Sequence, residues 1–136
     1  MLHNDIYAWL SSTPEIDSLF PGGIHHESLP QDVDEWPALT FSLVSQREIA
    51  ADMEAPNDEK LDSATYQFDV IANASQPALT AADSFLSICR NFRGTMTTTK
   101  VQEVDFLNVT HFEERRGDKL RRRVSLDFSI TYEVTE

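Results

Sequence analysis

The chain has 136 residues, of which 40% are hydrophobic and 25% are charged. This composition is typical of one globular domain, predicted to span residues 1–136, and differs from that of a disordered chain. The formal net charge of −12 disfavours general affinity for nucleic acid, because phosphate binding requires a basic surface. No apolar run approaches the ~20 residues that span a bilayer. The single cysteine, Cys89, excludes an internal disulfide.

The first residues lack the basic start and apolar segment of a signal peptide, so we expect the chain to fold in the cytoplasm. Asn4 or Asp5 is predicted to cap a first helix, whose apolar positions follow at helical spacing: Ile6, Trp9 and Leu10. Thr13 and Pro14 have the residue types that begin a second, short helix. The sequence Pro-Gly-Gly at residues 21–23 ends it.

Three strands and one long connection are predicted next. Residues 24–29, 37–44 and 63–72 have the composition of strands, and their inward positions alternate. The acid-rich stretch 47–62 has little apolar periodicity and lies between the second and third strands. Connections of this length are uncommon in compact domains and are usually functional or disordered. We interpret it as a protruding arm or extended hairpin, or alternatively as a mobile, solvated loop.

A long helix is predicted after the third strand, with Ser75 as its cap and Pro77 in its first turn. It carries an apolar stripe at helical spacing that we expect to cover the sheet: Leu79, Ala82, Phe85, Leu86, Cys89 and Phe92. Cys89 lies on this stripe, which favours a small core residue over a nucleophile. Residues 93–95 are predicted to end the helix.

The last third of the chain predicts a β-hairpin with a turn at residues 113–119. Along residues 99–112 the apolar positions change sides after Phe106, which predicts a β-bulge there, or else an intersubunit contact that covers both faces. Residues 124–134 alternate strictly between apolar and polar, which favours an antiparallel strand with one buried face. The predicted fold class is α+β, a mostly antiparallel sheet with flanking helices, one long helix packed on it and a C-terminal hairpin.

Charge is distributed unevenly along the chain. Nine of the eleven Lys and Arg residues lie between Arg90 and Arg123, whereas only Arg47 and Lys60 occur between Glu27 and Asp62. The candidate contact residues are basic ones at the hairpin and acidic ones in the long connection: Arg115, Arg116, Lys119, Arg121, Arg122, Arg123, Asp52, Glu54, Asp58 and Glu59. These are either two solvated surfaces or the two sides of a head-to-tail contact between copies.

Catalytic and metal-binding motifs have little support in the sequence. His25 and His26 are adjacent in a predicted strand, so their side chains point to opposite faces and do not readily share one ion. There is no phosphate-binding glycine loop, nucleophile elbow or paired-cysteine site. No catalytic residue, cofactor or metal is therefore predicted. A small hydrolase or metal enzyme using His25, His26 or His111 remains an alternative, as does an adaptor module that binds one partner to another.

The order of elements resembles the tail-completion, or tail-terminator, proteins of long-tailed bacteriophages and prophages, and is similar in layout to the lambda-type minor tail protein U. Four stretches carry the resemblance: Glu-Trp-Pro-Ala-Leu-Thr-Phe at 35–41, the strand 63–70 entering a helix through Ser-Gln-Pro at 75–77, Phe-Arg-Gly-Thr at 92–95, and the strand 123–132.

The resemblance implies a non-enzymatic, homo-hexameric ring that caps the tail tube, stops its growth and presents a surface to the head connector. The implied partners are other copies of the chain, the tail-tube protein and the head–tail connector protein, with no membrane and no sequence-specific nucleic acid. The implied location is the virion tail, assembled in the host cytoplasm. Since DNA must pass through such a ring, we expect its lumen to be lined mainly by Asp and Glu.

Overall fold

A computed structural model describes residues 2–30, 33–49, 60–90, 92–116 and 119–134. The helices are α1 (Leu2–Ser12), α2 (Pro14–Asp17) and α3 (Ser75–Cys89). The strands are β1 (Ile24–His26), β2 (Ala38–Ile49), β3 (Lys60–Ala72), β4 (Gly94–Met96), β5 (Thr99–Arg116) and β6 (Lys119–Val134). The described chain is thus mostly β-sheet with a few helices, which fits the α+β class. None of these helices has the length and apolar character needed to cross a membrane.

The strands form one sheet in the order β1-β2-β3-β6-β5-β4. The pairing of β1 with β2 is parallel, and the other pairings among the described strands are antiparallel. Strands β5 and β6 form a long hairpin in which Arg116 pairs with Lys119 at the closed end. The shortest strands, β1 and β4, are therefore the outermost members of the sheet.

One face of the sheet is covered by helices and holds the core. The alternation predicted for the last strand is observed, because Val124, Leu126, Phe128, Ile130 and Tyr132 of β6 are buried on this side. Helix α3 packs on β3 and β6, and α1 packs on β1 and β4. Four aromatic rings meet where α3 crosses the sheet: Phe41, Phe68, Phe85 and Phe128. We call this side the helix-covered face.

The opposite side, which we call the polar face, carries the alternate residues of the same strands, among them Gln67, Asp69, Ser125, Asp127 and Ser129. Ser125 was expected to be solvated, but it is buried, as is Asp69. The segment that precedes β2 crosses this face, since residues 27–29 line a cavity with Thr40 and Ile71, and Trp36 stacks under Arg121.

The predicted cap of the first helix is wrong. Helix α1 begins at Leu2, so Asn4 and Asp5 lie inside its first turns. The Asp5 carboxylate instead accepts hydrogen bonds from the hydroxyls of Thr98 and Thr99, at the turn between β4 and β5. Asp5 therefore ties α1 to the far edge of the sheet, which local sequence cannot predict.

The buried side of α3 also differs from the prediction. Ala74 is the residue that precedes the helix, with no side-chain cap, and Ser75 is the first helical residue. Leu79 is 40% exposed, whereas Ala78, Ala81, Ala82, Phe85 and Cys89 are buried. Small alanines face the sheet because α3 lies close to it. Cys89 lies in the core as expected, and burial raises the pKa of its thiol.

Both ends of the predicted connection 47–62 belong to strands, since β2 continues to Ile49 and β3 begins at Lys60. This favours the extended-hairpin alternative for those ends, and residues 50–59 lie outside the described residues. The bulge predicted near Phe106 is confirmed by a register shift between Phe106 and Asn108. Strand β4 was not predicted, because three residues are too few to show alternation.

The turn before β1 depends on two glycines. Gly23 has φ of +96°, a conformation that side chains rarely adopt. A Cβ on Gly22 would lie 2.2 Å from the carbonyl oxygen of Glu35. Gly22 and Gly23 therefore allow the backbone of β1 to reach β2.

Candidate functional site

The basic candidates of the β5–β6 hairpin belong to strand positions at one end of the sheet. Arg115 is exposed near the closed end. Arg116 and Lys119 are the last and first residues of the paired strands, and their side chains lie outside the description, as do residues 117–118. The three consecutive arginines 121–123 follow on β6, where alternate side chains reach opposite faces.

Arg123 is held on the polar face by two carboxylates. Its Nη1 donates to Oδ2 of Asp69 at 3.2 Å, and its Nε lies 3.3 Å from Oε1 of Glu114. Asp69 is buried and also accepts hydrogen bonds from the Ser125 hydroxyl and, at 3.0 Å, from the Gln67 amide. Arg123 therefore compensates a buried charge within its own subunit.

The two neighbouring arginines are also engaged within the chain. Arg122 donates to Oε2 of Glu113 at 3.0 Å on the opposite side of the hairpin. The guanidinium of Arg121 lies 4.8 Å from the centre of the Trp36 ring, a cation–π contact. The run 121–123 is thus largely used in holding the hairpin to the body of the subunit. Arg115, which is exposed, is better placed to contact another molecule.

A cavity of about 160 Å³ lies between the hairpin and the segment that crosses the polar face. Charged groups of both signs line it: Glu27, Glu114, Arg121 and Arg123. It is small, and two of its lining groups, Arg123 and Glu114, already form an ion pair, so it has the character of a packing gap. A second cavity, of about 310 Å³, lies between the start of α3 and the hairpin and is lined by His111, Glu113 and Arg122.

The acidic candidates Asp52, Glu54, Asp58 and Glu59 lie outside the described residues. The strands that flank them end at Ile49 and Lys60, and Lys60 pairs with Val134. At the other end of β3, Ala72 pairs with Arg122, next to the hairpin tip. With 13 residues in β3 and about 3.3 Å per residue, the two charged regions join the sheet roughly 40 Å apart.

The histidines do not converge on one point. His26 stacks on His3, with ring centres 4.7 Å apart, and its other neighbour is Phe41. His25 donates from Nε2 to the carbonyl of Gly22 at 3.0 Å. His111 is far along β5 at the second cavity. Within the described ranges, no group of three or more His, Cys, Asp or Glu residues is arranged to hold a metal ion.

The perturbed titratable groups of the described chain lie in packed surroundings. Burial, and then the charge of nearby Asp69, raise the pKa of Asp127, while Asn108 opposes the shift. Burial raises the pKa of Tyr66 to about 12, with a further contribution from Tyr132. Burial and Asp62 raise the pKa of Tyr132. A phenol with a pKa of about 12 stays protonated near neutral pH, so Tyr66 has almost no deprotonated form that could accept a proton there.

Exposed apolar residues lie on β2 and β5, the strands next to the short outermost ones. The sequence predicted a bulge or an intersubunit contact after Phe106 on β5, but it did not single out the apolar residues of β2. Val44 and Leu43 of β2 are exposed, as are Leu107, Val109 and Phe112 of β5. The signal was available at Leu107 and Val109, which appear on the unexpected side of their strand. On β2 the prediction stopped the strand at residue 44, and so this exposed edge was not recognised.

The comparisons with known proteins agree with this architecture. The model of the family described as tail completion protein gp17 matches residues 4–133. A solved structure described as the virion of a native gene transfer agent particle contains a chain of similar fold, with a TM-score of 0.68 and 17% identity. That alignment covers 98% of this chain and 95% of the other.

A second solved structure aligns over 99% of this chain and 91% of its own, at 13% identity and a TM-score of 0.43. That score is too low to inform the fold. No curated protein matches the chain in sequence. The family match extends over nearly all described elements, from α1 to β6, and confirms the resemblance seen in the sequence. The chain belongs to the tail completion protein gp17 family.

Proposed function

We propose that this chain forms a homo-hexameric ring that caps the finished tail tube, stops its elongation and presents the surface to which the head connector joins. The observation that carries the proposal is the family match over residues 4–133, which makes the chain a structural tail protein. The described residues offer no metal cluster. Their most conspicuous unpaired surfaces are strand edges, which are suited to contacts with other subunits.

The position of the charged regions favours two separate contacts. The acidic segment joins one end of the sheet and the basic hairpin tip lies at the other. In a ring whose copies stand at the same height, these regions would form opposite rims. One rim would contact the tail tube and the other the connector, so that the ring joins two partners along the tail axis.

The polar face is the proposed lining of the DNA channel. On adjacent strands it carries carboxylates that are not fully buried: Asp105, Asp127 and Glu114. Like charge repels phosphate, so DNA would pass without binding. A ring in which the basic hairpin tips line the lumen would contradict this assignment.

The test is assembly of tail-tube protein from the same gene cluster, with and without this chain. We expect tubes of variable length without it, and shorter tubes with density at one end when it is added. Six copies per capped end would support the ring. Tubes of unchanged length, or a one-to-one complex with a single partner, would contradict the proposal and favour an adaptor module.

The rims are tested by charge reversal. Replacing Arg115, Arg116 and Lys119 by Glu is expected to remove one of the two junctions and leave the other intact. Reversal of Arg121, Arg122 and Arg123 is a poor test, because Glu at position 123 would lie against Asp69 and Glu114. Reversal of Asp52, Glu54, Asp58 and Glu59 to Lys should remove the other junction. If both variants still join the tail tube and the connector, the rim assignment is rejected.

A further inference from the structure

Both outer margins of the sheet are largely unpaired. Strand β1 pairs only with residues 39–41 of β2, and β4 pairs only with residues 99–101 of β5. In the part of the chain that the structure describes, no strand pairs with the outer side of residues 42–49 or 102–116. Unpaired strand edges present donors and acceptors that another chain can use. We call these stretches the β2 edge and the β5 edge.

Each edge contains a β-bulge that displays an apolar residue, and the β5 edge has a second bulge at the polar Gln102. The register of β2 shifts between Leu43 and Ser45, which leaves Val44 as the extra residue, 58% exposed. The register of β5 shifts between Phe106 and Asn108, which leaves Leu107 as the extra residue, 54% exposed. These two are the most exposed large hydrophobic residues in the described chain. Water contact with such groups is unfavourable, so exposed apolar residues concentrated on edges indicate contact sites.

The two bulges lie at nearly the same level of the sheet. Leu43 pairs with Tyr66, Tyr66 pairs with Phe128, and Phe128 pairs with Phe106. Because β2 and β5 run in opposite directions, Val44 and Leu107 lie on opposite sides of this row, about one residue apart along the strand axis. If a second copy stood beside the first at the same height, its Leu107 would be the diagonal neighbour of Val44 of the first, a position from which long side chains can make contact.

A second row places opposite charges at the two edges. Arg47 pairs with Ser63, Ser63 pairs with Thr131, and Thr131 pairs with Glu103. Arg47 and Glu103 are both exposed. The arrangement that brings Val44 to Leu107 therefore also brings Arg47 of one copy to Glu103 of the next. Two rows, one apolar and one ionic, agree on the same alignment.

We propose that the β2 edge of one copy docks on the β5 edge of the next copy, with Val44 against Leu107 and Arg47 against Glu103. This contact rests on the proposed ring and specifies which surfaces build it. The two patches differ and lie on opposite margins of the sheet, so the contact is heterologous. Because neighbouring copies stand at the same height, repetition of the contact can close into a ring. The bulges interrupt regular backbone pairing, which leaves partner choice to the side chains.

A charge swap tests the ionic row by sedimentation velocity of the full chain, alone and with assembled tail-tube protein. Arg47→Glu and Glu103→Arg are each expected to weaken self-association by roughly tenfold or more, because each places like charges together. The combined variant R47E/E103R restores the opposite charges and should recover association. Glu15→Arg, an exposed charge reversal on α2, is the matched control and should associate as the wild type does.

The apolar row is tested by Val44→Asp and Leu107→Asp, with Tyr7→Asp as the control. Tyr7 is an exposed hydrophobic residue on α1, away from both edges. In case these changes disturb the strands, the variant V44C/L107C is treated with a short bis-maleimide. It should yield a ladder of trimers and larger species, whereas each single cysteine variant should stop at dimers. The native Cys89 is buried and should not react.

Three results would overturn the contact. Association unchanged in both single charge variants, or a double cysteine variant that gives no ladder while the wild type assembles, would reject this surface and leave the ring proposal standing. A wild type that stays monomeric at all concentrations, both alone and with tail-tube protein, would reject the contact and the ring together.

Discussion

Arg123 Nη1 and Asp69 Oδ2 lie 3.2 Å apart across the paired strands β6 and β3, and Asp69 is almost fully buried. Removing one partner of such a pair leaves a charge that water reaches poorly. We expect Arg123→Ala to lower the free energy of unfolding by about 2 kcal/mol. Urea unfolding followed by circular dichroism measures it.

The neighbouring Arg122 provides the control, since its partner Glu113 is exposed. Arg122→Ala should change stability by less than ~1 kcal/mol, as is usual for surface ion pairs. Equal losses for the two variants would mean that Arg123 has no special role in the fold.

The aromatic cluster under α3 is expected to dominate core stability. Phe85 is fully buried and contacts the rings of Phe20, Phe68 and Phe128. Phe85→Ala should cost about 3–5 kcal/mol, because it removes apolar contacts and leaves a cavity. Leu79→Ala on the same helix should cost less than ~1 kcal/mol because Leu79 is exposed. A loss at Leu79 as large as that at Phe85 would contradict the observed orientation of α3.

The raised pKa of Asp127 predicts a pH-dependent contribution to stability. The folded state binds the proton of the Asp127 carboxyl more tightly than the unfolded state does. The resulting contribution to the free energy of unfolding is fully present below the ordinary pKa of 3.8 and is lost as pH rises through the folded pKa. Asp127→Asn cannot ionise, so it avoids both this pH-dependent loss of stability and the repulsion between the Asp127 and Asp69 carboxylates.

The variant should therefore match the wild type at acidic pH and become more stable than it as pH rises above 3.8. Thermal unfolding from acidic to neutral pH measures the difference. Asp83→Asn, an exposed change on α3, should show no such trend. A difference independent of pH would contradict the burial of Asp127.

The bond between Asp5 and the turn before β5 is expected to hold the start of α1 in place. Asp5→Ala removes the acceptor for the hydroxyls of Thr98 and Thr99. Hydrogen bonds to a charged acceptor are worth about 1.5–3 kcal/mol, and partial exposure puts this loss at the lower end. Backbone hydrogen exchange should accelerate both in α1 and at residues 97–99. Asn4→Ala, its exposed neighbour, should leave the exchange unchanged.

Much of the sheet follows from local patterns. The alternation from Val124 to Tyr132 predicts which side of β6 is buried, and the change of sides at Phe106 predicts a bulge. Ser125 could not be assigned in this way, because its burial depends on the segment around Trp36 crossing a face that alternation marks as solvated. Tertiary contacts of this kind leave no trace in local periodicity.

The candidate site was predicted less fully. The sequence locates the basic hairpin but does not indicate that Arg123 is bound to Asp69, more than 50 positions away. It also does not show that Val44 and Leu107 lie at nearly the same level, because that depends on the pairing of four strands. Charge in a sequence identifies a surface, and strand register determines what that surface faces.

The bulges at Val44 and Leu107 have a consequence for newly made subunits. Strand edges without bulges could pair through backbone hydrogen bonds alone. Newly made protein would then aggregate into extended sheets. Edges interrupted at these residues cannot pair along their whole length, so the side chains decide which alignment between copies is stable. If the chain forms the proposed ring, its subunits would add to one another in the aligned register and not as continuous sheets.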